Sequence, residues 1–183
     1  MRPRTLGFML LSVLGAVALP VQADDDEDFA ARLKPFDEVP SVSSVASGSF
    51  RAELNRSATA LTYTLTYRNL EAAVQQAHIH FGDKDVNGGI SIWLCSNLAS
   101  PPTPPNTQPC PTTPEATITG TVGATETVGP TAQGIDAGQF AEIVRAIRNG
   151  VAYANVHSAR FPGGEIRGQI EERRRGHHGN HDD

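Results

Sequence analysis

Most of the chain shows the two-residue alternation of apolar and polar positions that is typical of half-buried β-strands. In ALTYTLTYRN, residues 60–69, Leu and Tyr alternate with three threonines, and these residue types favour strands. Seven other short runs have a similar strand character and are mostly bounded by Gly, Pro, Asn or Asp: FAARLK, ASGSFRAEL, QAHIHF, ISIWLC, ATITGTV, VAYANVH and EIRGQI. The pattern predicts a mainly β domain, an antiparallel Greek-key-like β-sandwich, with a Greek-key barrel as the alternative.

One segment has helical spacing instead. In DAGQFAEIVRAIRNG, residues 136–150, Asp136 is expected to cap the start of a helix and Asn149-Gly150 to end it. Its apolar positions recur at intervals of three and four: Phe140, Ile143, Val144 and Ile147. We therefore expect one helix of about three turns that packs its apolar side on the sandwich.

The two ends of the chain differ in composition from the domain between them. Residues 1–23 combine a basic start, an apolar run too short to span a bilayer, and small residues before Asp24. They predict a signal peptide cleaved near Ala23, hence an extracytoplasmic protein, periplasmic or secreted, with no membrane span after cleavage. The acidic run 24–28, DDDED, is predicted to be a disordered leader, and the Arg/His-rich segment 172–183 a disordered tail.

Charge excludes some partners. The whole chain carries a formal charge of −5, and loss of the two arginines in the predicted signal makes the mature protein more acidic still. An acidic chain is a poor ligand for nucleic acid or for an anionic membrane surface. Roughly 160 remaining residues suit one domain with its own core.

The two cysteines, Cys95 and Cys110, are expected to form a disulfide, because the chain is predicted to be exported to an oxidising compartment. The segment between them is rich in Pro, Ser, Thr and Asn and is not expected to form regular structure. The spacing lacks the close CxxC arrangement of redox-active pairs, so the bridge is interpreted as a structural staple.

Several of these runs together resemble a known family. FDEVPSV, ALTYTLTYRNL, AHIHFGDKDVNGGISIWLC and GVAYANVHSARFPGGEIRGQI are similar to the CHRD domain, first described in chordin, over residues 29–171. The resemblance implies an extracellular β-sandwich module. It implies no established biochemical activity. The Pro-rich stretch 95–110 and the His-rich tail depart from the family pattern, but both concern loops or ends.

Three histidines are the main candidates for chemistry. Strand alternation places His78 and His80 on one face, and His157 lies at the end of VAYANVH on the same face as Asn155. If the two strands are neighbours, three neutral imidazoles meet, which suits copper or zinc. The alternative is architectural: hydrogen bonds hold the histidines, for example from His78 to Asn155 or to a backbone carbonyl.

Other residues are candidates for an accessory metal role. Asp83, directly after the His78–His80 pair, could supply an oxygen ligand or orient an imidazole. The tail histidines form a loose second cluster: His177, His178 and His181.

The motif FPGGEIRG predicts a tight turn followed by a strand. Gly163 and Gly164 permit positive φ in the turn. Glu165 and Arg167 then share one face of the strand, where they could pair with each other or across strands.

These observations predict a non-enzymatic binding module that binds copper or zinc through His78, His80 and His157. The alternative is a protein- or matrix-binding module with architectural histidines and an extracytoplasmic partner. A third possibility rests on HIHFGD, which is similar to the copper-binding stretch of Cu/Zn superoxide dismutase. No histidine lies between His80 and His157, so a dinuclear site is not expected, and a mononuclear metal enzyme would need an open coordination position.

Overall fold

A computed structural model describes residues 26–100 and 103–173. Within them the chain forms nine strands and one α-helix, and the eight strands predicted from the alternation pattern are all present. The elements are β1 Glu27–Leu33, β2 Ser47–Leu54, β3 Ala60–Arg68, β4 Val74–Phe81, β5 Gly89–Ser96, β6 Ala116–Gly123, α1 Phe140–Arg148, β7 Ala152–Ser158, β8 Ile166–Gln169 and β9 Glu171–Glu172.

The strands form two sheets, which confirms the predicted β-sandwich. The first sheet has the order β6-β3-β2-β1-β9 and the second has the order β5-β4-β7-β8. The strand pairings are antiparallel. Strand β3 shows how the alternation works, because its Leu and Tyr side chains are buried between the sheets while the threonines point outward. Thr62 and Thr66 bond threonines of β6 across the outer face.

Helix α1 packs its predicted apolar side against the core, but it begins later than expected. Phe140, Ile143 and Ile147 are buried, and Gly150, at φ 68°, ends the helix as predicted. The prediction that Asp136 caps the start is wrong. Gly138, at φ 85°, turns the backbone out of the helical path between Asp136 and the first helical residue.

The strands reach further toward both ends of the chain than expected. Glu27 and Asp28, predicted to belong to a disordered leader, lie in β1 and pair with β2. Glu172, predicted to be disordered tail, lies in β9 and pairs with Phe29 of β1. Their side chains can point to solvent while the backbone pairs, so acidic composition did not prevent strand formation. The predicted signal peptide and the tail after Arg173 lie outside the described residues.

The predicted disulfide is present. Cys95 of β5 and Cys110 are joined, with their Cα atoms 5.0 Å apart. Asn97 reinforces the closure, because its side chain donates to the Cys110 carbonyl and accepts a bond from the Cys110 amide. Among the described residues, none of the helices is both long and apolar enough to span a bilayer.

Candidate metal centre

The three candidate histidines meet on the outer face of the second sheet. Strands β4 and β7 are neighbours, as the metal hypothesis requires, and their register places His78 opposite Asn155 and Gln76 opposite His157. Ile79 points the other way, into the core between the sheets. The rings of His78 and His157 have centroids 4.9 Å apart, and those of His78 and His80 are 5.3 Å apart.

Two irregularities occur in the pairing of β4 with β5, one directly before each histidine of β4. The register shifts between Ala77 and His78 and again between Ile79 and His80, so that β5 has an additional residue at each point. Bulges of this kind bend a strand and re-aim its side chains. The shift also places Trp93 opposite His78. Nothing in the sequence pattern predicted these bulges.

The outer face is buried although it lies outside the sandwich. His78 is 0% exposed, His80 7% and His157 6%. Two connecting segments cover this side of the sheet: one joins β1 to β2 and the other joins β4 to β5. The Asn87 side chain of the second segment donates to the Val39 carbonyl of the first at 2.9 Å. The histidines therefore sit in a second interior, between the sheet and its covering loops.

The hydrogen bonds define which nitrogen of each ring carries the proton. His80 Nδ1 lies 3.0 Å from the Gly88 carbonyl oxygen, and His157 Nδ1 lies 3.0 Å from that of Pro162. A carbonyl only accepts, so both Nδ1 atoms must donate and both Nε2 atoms hold a lone pair. His78 Nδ1, 3.1 Å from His157 Nε2, must then be the donor of that contact.

This arrangement leaves lone pairs without donors. Among the described residues, His78 Nε2 and His80 Nε2 are buried with no hydrogen-bond partner. The alternative in which His78 bonds Asn155 does not occur, because the Asn155 amide donates to Glu38 and to the Ile166 carbonyl. A buried polar atom without a partner costs about 1–3 kcal/mol, so the architecture alone does not satisfy these rings.

The ring nitrogens lie close to the geometry of a metal site. One nitrogen from each of His78, His80 and His157 falls within 4.8 Å of the others. Imidazole nitrogens around a tetrahedral ion are roughly 3.4 Å apart, since each lies about 2.0–2.1 Å from the metal. The 3.1 Å contact between His78 Nδ1 and His157 Nε2 is close to that separation. Coordination through both atoms would require the proton of His78 Nδ1 to move to the unpartnered Nε2 of the same ring.

Electrostatics keep the cluster neutral. Burial lowers the pKa of His80 and of His157 from 6.5 to about 4. Burial, with added repulsion from His157 and His80, lowers the pKa of His78 to about 2. Three uncharged imidazoles at neutral pH are the protonation state that a metal ion requires.

Aromatic rings hold the histidines in place. The Trp93 ring meets His78 edge to face at 4.3 Å, and Tyr153 stacks on His80 at 4.8 Å with the planes 1° apart. The Tyr153 hydroxyl accepts from the Gly88 amide, and the Gly88 carbonyl accepts from His80. The Arg167 guanidinium lies 4.4 Å from the centre of the Tyr153 ring. Sequence reasoning missed Trp93 and Gly88.

The other predicted site residues have different positions. Asp83 is exposed and accepts a bond from the Lys84 amide, so among the described residues the metal-ligand cluster contains only the three histidines. The accessory metal role of Asp83 therefore stays a prediction. Strand β4 ends at Phe81, and the turn that follows carries Asp83 out to solvent. His177, His178 and His181 lie outside the described residues.

The predicted turn before β8 forms a polar layer beside the histidines. Gly164 has φ 129°, and a Cβ there would come within 2.7 Å of the Glu38 carboxylate. Glu165 is fully buried and accepts from Ser44 and from the Glu71 amide. Arg167 donates instead to the Val86 carbonyl and to Asn87. Glu165 and Arg167 thus make separate contacts rather than the anticipated pair.

Gly163, the first glycine of the turn, plays a smaller part than expected. A Cβ at Gly163 would meet nothing within 4 Å, so this position tolerates a side chain. Gly164 alone needs the positive φ and the missing Cβ.

Glu38 is a buried carboxyl group in this polar layer. Its carboxylate is 5% exposed and accepts from Asn155. Burial raises its pKa from 4.5 to about 7, against the opposing effects of the Asn155 hydrogen bond and the Arg167 charge. The layer therefore contains a carboxyl group that is partly protonated at neutral pH.

Comparison with known proteins agrees with this architecture. A family model described as the CHRD domain matches residues 29–170, which is more than half of the chain. No curated protein and no solved structure matches this chain. The match begins in β1 and ends at Ile170, so it covers strands of both sheets, except β9, and all three histidines. The chain belongs to the CHRD domain family.

Proposed function

We propose that this protein is an extracytoplasmic binding module that holds one copper or zinc ion through His78, His80 and His157. The CHRD domain supports a binding-module function, and the domain together with its disulfide fits an extracellular protein. The observation that carries the metal proposal is the pair of buried, unpartnered Nε2 lone pairs on His78 and His80.

The ligands would be His80 Nε2, His157 Nε2 and one ring nitrogen of His78. Metal-bound histidines in proteins almost always donate their other N–H to a carbonyl or carboxylate, which orients the ring. His80 and His157 already have that arrangement through Gly88 and Pro162. The third neutral ring completes a set that suits zinc or copper by ligand type.

Binding fits the site better than catalysis does. A metal enzyme needs an open coordination position that a substrate can reach. The ring faces are covered by Trp93, Tyr153 and the connecting loops, and none of the three histidines is more than 7% exposed. An ion held this deeply would bind stably and react slowly.

The test is a titration with Cu(II) and Zn(II) in competition with a chelator, using the full chain without an affinity tag. His177, His178 and His181 are changed to Ala in every sample, so that the tail cannot bind metal. We expect one tightly bound ion per chain. Trp93 is the single tryptophan and touches His78, so Cu(II) should quench its fluorescence in step with binding and Zn(II) should not.

Two variants separate ligand loss from unfolding. The triple change His78→Ala, His80→Ala and His157→Ala should abolish tight binding. His80→Phe keeps a ring to stack on Tyr153 but has no nitrogen. It should lower affinity by more than about 100-fold, since even the loss of a ligand's outer partner costs about 10–100-fold.

The opposite result is equally clear. If the parent protein binds neither ion tightly, and the histidine variants are merely less stable, the three rings are architectural. The protein would then be a protein- or matrix-binding module, and its partner would have to be sought on another surface.

A further inference from the structure

A groove of about 610 Å³ lies between the outer face of the first sheet and β8, the edge strand of the second sheet, and Arg167 of the polar layer is among its lining residues. Its floor is made of small residues, among them Ala30 of β1, Ser49 of β2 and Gly168 of β8. Gly168 is essential to the shape, because a Cβ there would come within 2.1 Å of the Arg32 carbonyl oxygen. The volume is in the range of about 300–1,000 Å³ found for ligand sites.

Cationic side chains surround this floor. Five of them are exposed and, among the described residues, have neither a side-chain hydrogen bond nor an ion pair. They are Arg32, Lys34, Arg51, Lys84 and Arg173. The groove also contains the carboxylates of Asp37 and Glu171, but neither lies within 4.0 Å of a cation of the groove. A chain of net charge −5 thus concentrates unpaired positive charge in one place.

The cations lie along the strands in a regular arrangement. Arg32 pairs with Ser49, and Arg51 lies two residues further along β2, so the two guanidinium groups are diagonal neighbours on one face. Lys34 follows Arg32 by two residues, which places the two roughly 6.6–6.8 Å apart along the chain. The groove therefore offers several positive charges in sequence to one extended ligand.

We propose that this groove binds a linear acidic polysaccharide, a polymer of uronic acid units, through its carboxylates. The planar guanidinium fork matches a carboxylate in a bidentate manner. Single exposed ion pairs contribute little, but successive carboxylates on one polymer engage several cations at once and add their contributions.

Other occupants fit the groove less well. The large apolar residue that lines it, Phe50, is fully buried, so a peptide or an acyl chain has no apolar anchor there. A concave groove accepts a narrow polymer chain, whereas a flat anionic membrane surface would contact only its edges. Asp26 of the acidic run pairs with a different cation, since its Oδ1 lies 3.9 Å from Arg56 Nε, beyond the other end of β1.

The experiment measures binding of the full chain to polygalacturonate oligomers by calorimetry, in a chelator-containing buffer that excludes metal bridging. The matched control ligand is the same oligomer with its carboxylates methyl-esterified, which keeps the sugar backbone and removes the charge. We expect binding to the acid form alone, weakening steeply as salt is raised from 20 to 200 mM because exposed charges are screened over about 10 Å at 0.1 M.

Two charge-matched variants locate the site. Arg32→Gln, Lys34→Gln and Arg51→Gln together should weaken binding by about tenfold, because three exposed ion contacts of modest strength are lost at once. Arg56→Gln, Arg68→Gln and Arg145→Gln, also exposed but away from the groove, make the same change in net charge. They should alter the affinity less than twofold. The His78, His80 and His157 variants should bind the polymer normally, so this test and the metal test can fail separately.

Three results would overturn the proposal. The first is equal binding of the methyl-esterified oligomer. The second is an equal loss of affinity in the two charge-matched variants, which would mean that net charge alone matters. The third is binding to phosphatidylserine-containing vesicles with none to polygalacturonate, which would assign the groove to a membrane.

Discussion

The two faces of the second sheet are both buried but are built differently. The inner face is apolar, with Ile79, Ile92 and Val156 each 0% exposed and packed on the first sheet. The outer face is polar, with three histidines, Asn155 and neighbouring Glu165 beneath covering loops. Three of the four buried side-chain atoms that lack a partner among the described residues belong to the outer layer: His78 Nε2, His80 Nε2 and Glu165 Oε2.

The difference shows where this fold gains stability and where it keeps unsatisfied groups. Apolar contacts are non-directional, so the inner face is stabilised by area and shape alone. A buried polar layer is stable only to the extent that every donor and acceptor is matched. The outer layer leaves acceptors open around the histidines, which is the condition that favours a ligand there.

The largest effect is expected from a cavity on the inner face. Ile92→Ala should lower the free energy of unfolding by about 4 kcal/mol, because Ile92 is fully buried and truncation leaves a void. Denaturant titration measures the loss, and Ile92→Val should cost only about 1 kcal/mol. A loss below 1 kcal/mol for Ile92→Ala would show that the inner face is loosely packed.

The outer layer should respond to pH through Glu38. The pKa of Glu38 in the folded protein is raised from 4.5 to about 7. The contribution of Glu38 to the free energy of unfolding is therefore complete below pH 4.5 and is lost as pH rises through 7. Glu38→Gln should therefore raise the free energy of unfolding by up to about 3 kcal/mol at pH 8 and leave it unchanged at pH 4.

The histidines change the stability of the protein with pH in the direction opposite to Glu38, which provides an internal comparison. Because the pKa values of His80 and His157 are lowered from 6.5 to about 4, their contribution is present above pH 6.5 and is lost as pH falls through 4. Glu38→Gln should thus make acid destabilisation steeper. The matched variant Glu53→Gln changes an exposed residue of β2 and should leave the pH profile unaltered.

The disulfide anchors one edge of the inner face. Cys95→Ser with Cys110→Ser opens a closure of sequence separation 15 and should cost about 3 kcal/mol by freeing the unfolded chain. The outer layer is not tied to this bridge, so metal affinity should change little. The non-reduced protein should also show the mass deficit of two hydrogens in mass spectrometry, and two free thiols would contradict the assignment.

The smallest effect is expected from one hydroxyl of the outer layer. Tyr153→Phe removes the acceptor for the Gly88 amide, 3.1 Å away, but keeps the ring that stacks on His80. The free energy of unfolding should fall by about 1 kcal/mol. Hydrogen exchange at the Gly88 amide should accelerate. Unchanged exchange there would mean that the loop is held by its other contacts.

Much of the fold could be predicted from the sequence because it depends on local periodicity. The alternation in β3 decided which residues are buried, and the helical spacing of Phe140, Ile143 and Ile147 located α1. The error at Asp136 arose because its capping role depends on the path of the next residues, and Gly138 turns the chain away. Single-residue turn geometry of this kind is not visible in a residue pattern.

The sequence by itself determined that His78 and His80 share a strand face, that His157 lies on another strand, and that two cysteines are available to pair. Those facts follow from strand geometry and composition. Only the tertiary structure decided that β4 and β7 are neighbours, that bulges in β5 bring Trp93 to His78, and that loops bury the outer face. Strand order, register shifts and loop packing depend on contacts between residues distant in sequence, which no local pattern encodes.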